Sequence, residues 1–212
     1  MSSKRFPDRA ATRGRILRGA EDFVTREGLQ RLTMDRLATH MGMSKKTIYT
    51  CFRSKTELVQ ALIANVIGGV ESLLQAVSAQ TDLSCSRKMR LTRDVIIERV
   101  GRLGLQMLED LALVYPEIWR EVDWRRAKIL TRHFDAVLNA GVDSGEIRSD
   151  VNVGITSMLM VRAISRIGNP RELINQPYSI EDLISGLLSM LFTGVLSAQA
   201  VEEFVAGREK SE

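Results

Sequence analysis

The side chains in this 212-residue chain best equipped for chemistry lie between Thr33 and Lys55. Ser44, Lys45, Lys46, Thr47 and Tyr49 form a run of hydroxyl and ammonium donors, with Thr33 before it and Lys55 after it. Donors of these types on one face of an element suit phosphate oxygens and the acceptor edges of bases. They do not suit bond breaking, which needs a nucleophile beside a base or a ligand set around a metal. The two histidines, His40 and His133, stand apart from any Cys or carboxylate cluster, and no Gly-rich phosphate loop, G-x-S-x-G or H-E-x-x-H occurs. The expected work is binding, with no enzyme activity, no cofactor and no metal.

Two short helices must present these donors. Thr33 is a hydroxyl N-cap, Asp35 and Arg36 occupy the first turn after it, and the helix runs to about His40. Met41-Gly42-Met43 is a tight turn in which Gly42 adopts a left-handed conformation at low cost. Ser44 caps a second helix through about Thr50. Leu37, Met41, Met43 and Ile48 face inward, and Ala38 is small where the helices approach. A pair of short helices joined by a Gly-containing turn is a helix-turn-helix. An ordinary helical hairpin with a solvated basic face would share this pattern.

Charge favours the first reading. The net charge of +4 hides a segregation: residues 1–55 hold 13 Lys and Arg against 5 Asp and Glu, and residues 56–212 hold 17 against 21. A basic head on a mildly acidic body points to a polyanionic partner, and the helix-turn-helix makes that double-stranded DNA rather than a membrane. Lys4 and Arg5 precede the head and are available to a phosphate or a minor groove. The N-terminus lacks the apolar core of a signal peptide. Leu183 to Val201 carries no charge but holds several Ser, Thr and Gln residues, so a buried interface helix explains it better than a membrane span. Cys51 and Cys85 form no disulfide framework and suit a reducing cytoplasm. Cys85, in an expected loop, reads as an incidental thiol.

The pattern also resembles the DNA-binding domain of the TetR/AcrR family of transcriptional regulators. That family follows a long first helix with T-x-x-x-[IL]-A-x-x-x-G-[VM]-S-x-x-x-[IL]-Y-x-[HY]-F-x-x-K-x-x-L. Thr33, Leu37, Ala38, Gly42, Met43, Ser44, Ile48, Tyr49, Phe52, Lys55 and Leu58 fall in register. Cys51 departs from it, standing where a His or another polar aromatic is usual. The resemblance implies a repressor whose dimer places two recognition helices in successive major grooves of a palindromic operator.

Along the whole chain, helical periodicity dominates and predicts an all-α fold of about nine helices. A three-helix DNA-binding domain at residues 1–54 is followed by a helical ligand-binding and dimerisation domain at 55–212. Helices are expected at about 9–27, with Arg13, Arg15 and Arg18 outside, and at 55–79, capped by Ser54 and Glu57. Others follow at 87–108, from Pro116 to about 140 after a break at 111–116, at 151–168, and at 179–206, capped by Ser179 with Glu181 and Asp182. Gly68-Gly69 is a weak point in the fourth.

The last two helices carry more apolar surface than one core needs. Their small-residue stripe marks a homodimer interface through Ser157, Leu183, Gly186, Leu187, Met190, Thr193 and Gly194. The body reads as a receptor for a small-molecule effector, with Met107, Trp119, Trp124, Phe134 and Met158 as adaptable apolar lining and Arg162 as an anchor for an acidic ligand. These residue types are also ordinary core, and a pocket is implied more by the resemblance than by the residues. The alternative is a DNA-binding regulator controlled by a partner protein, with no cavity in its body.

Overall fold

The computed structural model describes residues 9–169, 177–198 and 201. It contains α1 (Arg9–Glu27), α2 (Met34–His40), α3 (Lys45–Cys51), α4 (Lys55–Ala79), α5 (Cys85–Val114), α6 (Pro116–Asp143), α7 (Val153–Ile167) and α8 (Ile180–Val195). Among the described residues there is no strand, only an isolated bridge between Ile147 and Leu196. The all-α expectation holds. Lys4 and Arg5 lie outside the described residues, as does most of the segment beyond Ser197.

Two compact units are present, and the chain passes between them three times. One joins the chain up to Gly68 with Arg102–Trp119; the other joins Gly69–Gly101 with Arg120 onward. The divisions fall inside α4, α5 and α6. The units therefore do not follow a chain-order boundary at residue 54.

In the first unit α1 buries Ile16, Ala20, Phe23 and Val24 at helical spacing, and Gly28 at φ 85° ends it. Leu29, Leu32, Leu37, Ile48, Phe52, Leu58, Val59 and Leu62 complete an apolar core. The end of α5 enters this unit with Met107, Leu108 and Leu111 buried. With them comes Asp110, a carboxylate only 1% exposed. Its Oδ2 accepts from the Gln30 backbone N–H at 3.2 Å and its Oδ1 from the Gln30 side-chain amide at 2.7 Å.

The expected break at 111–116 shrinks to one residue. Nothing between Leu108 and Val114 opposes a helix, so α5 continues until Tyr115, whose successor Pro116 disfavours helical backbone before it and favours the first position after a cap. The amide of Trp119 bonds the Tyr115 carbonyl at 2.9 Å, starting α6 at once.

In the second unit the start of α5 is capped from afar. Glu146 accepts from the backbone N–H groups of Cys85 at 2.9 Å and Ser86 at 3.3 Å, placing negative charge at the positive helix end. Cys85 is thus a helical residue rather than a loop residue. Burial pushes its thiol up to about 12, with Glu146 adding to the effect. It is an unreactive thiol at neutral pH. α6 runs past Gly141 to Asp143, and the turn follows at Gly145 with φ 77°.

α8 stops at Val195 instead of running unbroken to 206; after the break at Leu196 and Ser197, Ala198 and Val201 are helical again. Leu196 is extended; the Arg148 amide bonds the Val195 carbonyl at 3.1 Å, and the Ser197 amide bonds the Glu146 carbonyl at 2.7 Å. This non-local bridge ends α8 without any helix-breaking residue. The uncharged run from Leu183 is consequently split. Among the described residues α4 is the helix long and apolar enough to cross a bilayer, yet its Leu58, Val59, Leu62 and Ile63 are buried in protein. Ser179 caps α8 through a reciprocal pair with Asp182, as the spacing predicted.

Between α4, α5 and α6 lies a buried polar group. His133 Nδ1 is 2.7 Å from Ser78 Oγ and its Nε2 is 2.6 Å from Thr92 Oγ1. Burial pushes His133 down to about 4; the Leu74 carbonyl opposes that shift and the charge of Lys88 adds to it. Protons bind the unfolded chain in preference to the folded one between that value and the ordinary His pKa of about 6.5. The stability tied to His133 is therefore full above pH 6.5 and is lost as pH falls toward 4, by about 3 kcal/mol over the window. His133→Gln should flatten that part of the pH–stability curve in urea titrations between pH 4 and 7. An unaltered slope would show that His133 titrates alike in both states.

Candidate nucleic-acid interface

The helix-turn-helix is built by local bonds that the sequence announces. Thr33 Oγ1 accepts from the Arg36 amide at 3.1 Å to start α2, and Ser44 Oγ accepts from the Thr47 amide at 3.1 Å to start α3. Between them Gly42 takes φ 61°, with the Gly42 amide on the Thr39 carbonyl at 3.1 Å and the Met43 amide on the Ala38 carbonyl at 2.9 Å. A Cβ added at Gly42 would meet nothing within 4 Å. Its cost would be conformational alone, roughly 1–2 kcal/mol. Gly42→Ala should lower folding stability by about that amount in chemical denaturation; no change would mean that the turn relaxes to another geometry.

α3 buries Ile48 and Cys51 and turns its other side outward. Lys45, Lys46, Tyr49 and Thr50 are exposed, and Thr47 is partly so. Thr33 and Ser44 are exposed too, but their hydroxyls serve as caps. Ser44 Oγ also lies 2.9 Å from Thr47 Oγ1, which orients both hydroxyls. Lys45 Nζ is 2.5 Å from Asp35 Oδ2 on α2, with both side chains largely in solvent. An exposed pair of this kind is worth at most about 1 kcal/mol, so a phosphate can replace the carboxylate cheaply. Lys46 makes no ion pair among the described residues.

Lys55 behaves differently from the rest of the expected set. It opens α4 and is only partly exposed; burial pushes its ammonium down while the nearby Asp110 opposes the shift. Its charge is tied to the buried carboxylate as well as facing outward.

The residue that the sequence reading passed over is Arg13. Expected outside, its guanidinium instead lies 4.1 Å from the centroid of the Phe52 ring, donates to the Cys51 carbonyl at 2.8 Å, and approaches Glu57 at 3.6 Å. Cation–π attraction and a charge-assisted bond together hold the exit of α3 against α1. The signal available in sequence was spacing: Arg13 lies one turn before the buried Ile16. Cys51 is buried, which removes its side chain from any contact surface.

Within α4's first turn, Ser54 Oγ accepts from the Glu57 amide at 3.1 Å, and Glu57 accepts from the Arg53 amide at 2.7 Å. Glu57 thus reaches one residue further back than a capping box would place it. Polar side-chain contacts elsewhere fix α1 to α2: His40 Nε2 lies 3.0 Å from Asp22 Oδ2, and Arg36 pairs with Glu27 at 2.5 Å.

The six residues expected to line a pocket are not brought together. Met107 and Phe134 are buried in the cores of different units, and Trp119 is partly buried. Trp124 is 63% exposed beneath the Lys128 ammonium, Met158 is 44% exposed, and Arg162 is also on the surface. Size and adaptability marked these residues, but neither says which way a side chain turns. The second unit has instead a groove of about 360 Å³ between α4 and α6, walled by Leu74, Ala79 and Ile129 and carrying Ser78, Arg132 and His133.

Of the residues expected at a dimer interface, Ser157 must be corrected. It is fully buried, with its hydroxyl between the Asp135 carboxylate and the Val153 carbonyl. It serves packing onto α6. Gly186, Met190, Thr193 and Gly194 lie on the exposed face of α8, and Leu183 and Leu187 are half-buried beside them. Ile155, Met158 and Leu159 of α7, which packs against α8, are exposed as well.

Residues 16–62 match the family described as "Bacterial regulatory proteins, tetR family". The chain is 21% identical over 194 residues to the HTH-type transcriptional regulator YvaF of Bacillus subtilis, covering 89% of this chain and 97% of that one. It is 32% identical over 83 residues to the HTH-type transcriptional regulator TtgR of Pseudomonas putida, covering 38% and 40%. Among solved structures, SmeT, the repressor of the Stenotrophomonas maltophilia multidrug efflux pump SmeDEF, superposes with a TM-score of 0.66 at 18% identity over 91% of this chain and 94% of that one. Lys55→Ala should weaken binding to duplexes of any sequence alike and reduce the salt slope of binding by about one. An unchanged slope would remove Lys55 from the phosphate contacts.

Proposed function

Residues 16–62 match the tetR family of bacterial regulatory proteins, and from that match we propose that the chain is a DNA-binding transcriptional regulator rather than an enzyme, a dimeric, effector-released repressor of a palindromic operator. Lys45, Lys46, Thr47 and Tyr49 enter the major groove, and Thr33, Ser44 and Lys55 meet phosphates. Two such helices, one per protomer, sit about 34–36 Å apart or wider, matching half-sites in successive grooves. The protein acts in the cytoplasm, where the DNA is.

The observation that carries the proposal is the uncovered apolar face of α7 and α8. Met190 is 66% exposed, with Ile155, Met158 and Leu159 exposed on the neighbouring helix. Gly186 and Gly194, at eight-residue spacing on α8, have open space where a Cβ would stand. Apolar side chains flanked by glycines suit a partner helix at close range, and two helices from each of two protomers make a four-helix interface. Dimerisation and small-molecule response are typical of the family, and SmeT is a repressor by its own description.

Met190→Glu places a charge on this face and should convert the dimer to a monomer in analytical ultracentrifugation, with loss of operator footprint across both half-sites. A variant that stays dimeric with an intact footprint would move the interface elsewhere. Footprinting the wild type against its own upstream DNA tests the operator directly, and a single unpaired half-site would defeat the palindrome.

A further inference from the structure

Asp35 places a carboxylate on the face proposed to meet DNA. It lies in the first turn of α2, Lys45 is the first residue of α3, and Asp35 Oδ2 is 2.5 Å from Lys45 Nζ. Both side chains are well exposed, Asp35 at 59% and Lys45 at 62%. Tyr49, one turn on from Lys45 and on the same side of α3, is exposed with them. Two other carboxylates of the head hold their cations elsewhere, Asp22 with Arg26 along α1 and Glu27 with Arg36 across to α2. The Asp35–Lys45 pair instead bridges α2 to the helix that carries the expected groove contacts.

The pair has unused capacity on both sides. An ammonium has three N–H donors and a carboxylate about four acceptor sites; the bond between them occupies one of each. An exposed carboxylate is repelled by phosphates, and a duplex offers it few donors in return. In the major groove these are the N4 amino group of cytosine and the N6 amino group of adenine. The neighbouring ammonium decides between them. Guanine presents O6 and N7 to it together, and O6 lies beside the N4 amino group of the paired cytosine. An A·T pair splits its two acceptors to either side of the amino group. It also sets a thymine methyl beside one of them, an apolar neighbour for a charged pair.

We propose that Asp35 and Lys45 read one G·C pair as a unit. Lys45 donates to O6 and N7 of the guanine, Asp35 accepts from N4 of the cytosine, and their own hydrogen bond stays in place. The two side-chain atoms already stand at hydrogen-bond distance, as O6 and N4 do across the base pair. At other sequences a phosphate takes Lys45 from Asp35, since an exposed pair is weak, and that contact carries no sequence information. Asp35 is thereby a specificity-determining residue, and Lys45 changes its role with the sequence beneath it. This rests on the DNA-binding reading proposed above and adds a base preference to it.

The experiment is selection from randomised duplexes by the full-length wild type, Asp35→Ala and Lys45→Met. Competition binding follows, with each G·C pair of the selected site changed in turn to A·T. The wild type should favour one G·C pair per half-site that neither variant reads, with discrimination there falling roughly 10-fold. Preferences at the remaining positions should persist, which also shows that each variant is folded. On random-sequence duplex Lys45→Met should lower the salt slope by about one, and on the selected site it should leave the slope unchanged. If Asp35 merely sits near phosphates, Asp35→Ala binds every duplex more tightly with all base preferences intact, and that result overturns the proposal. So does a G·C preference lost in Lys45→Met but kept in Asp35→Ala, which leaves Lys45 reading alone. A wild type that enriches no duplex at low salt defeats the DNA-binding reading itself.

Discussion

Asp110 is the constraint on which the head depends. A carboxylate removed from water must be satisfied by the protein, and both of its oxygens accept from Gln30, in the loop between α1 and α2. Asp110 lies on α5, eighty residues further along the chain. The three helices of the head therefore share their compact unit with the last turns of α5, which hold the loop that leads into α2. Lys55, which starts α4, senses the same carboxylate. The loop before the helix-turn-helix and the helix after it thus share one buried anchor.

Much of the head was legible from the sequence because its determinants are local. Thr33, Ser44 and Ser179 cap helices through bonds three residues away, and Gly28 and Gly42 end or turn them by backbone freedom alone. Several misreadings involve partners distant in sequence. α8 ends where a turn near Glu146 pairs with its last carbonyl, α5 begins where Glu146 reaches across to its amides, and Arg13 folds onto Phe52. Compact units that exchange helices three times also escape any reading that cuts the chain in order. The pocket escaped for another reason. A Trp or Met announces volume, but orientation around a long helix is decided by neighbours that a single sequence does not pair.

The surface of α3 combines fixed and exchangeable groups. Ser44 and Thr47 are oriented by capping and by each other, so they present defined hydroxyl directions rather than free rotors. Lys45 rests on Asp35 in a pair weak enough to be traded, while Arg13 and Phe52 keep the helix from swinging at its far end. Pre-organisation of the backbone with mobile charges at the rim suits a partner whose phosphates are regular and whose bases vary. In the DNA complex proposed above, affinity rests on the lysines, and discrimination on the residues whose directions are already set.

Gly68 and Gly69 mark where α4 leaves one compact unit and enters the other, and a Cβ at either would touch nothing. Two glycines in mid-helix lower its intrinsic stability by roughly 2 kcal/mol relative to alanines, with no packing gain at either position. The softest point of a 25-residue helix therefore coincides with the seam between two cores. Stiffness of the link between the units is set by residues that belong to neither binding surface. Sequence change at these two positions can thus adjust the stiffness of the helix on its own, without disturbing a packed side chain in either unit.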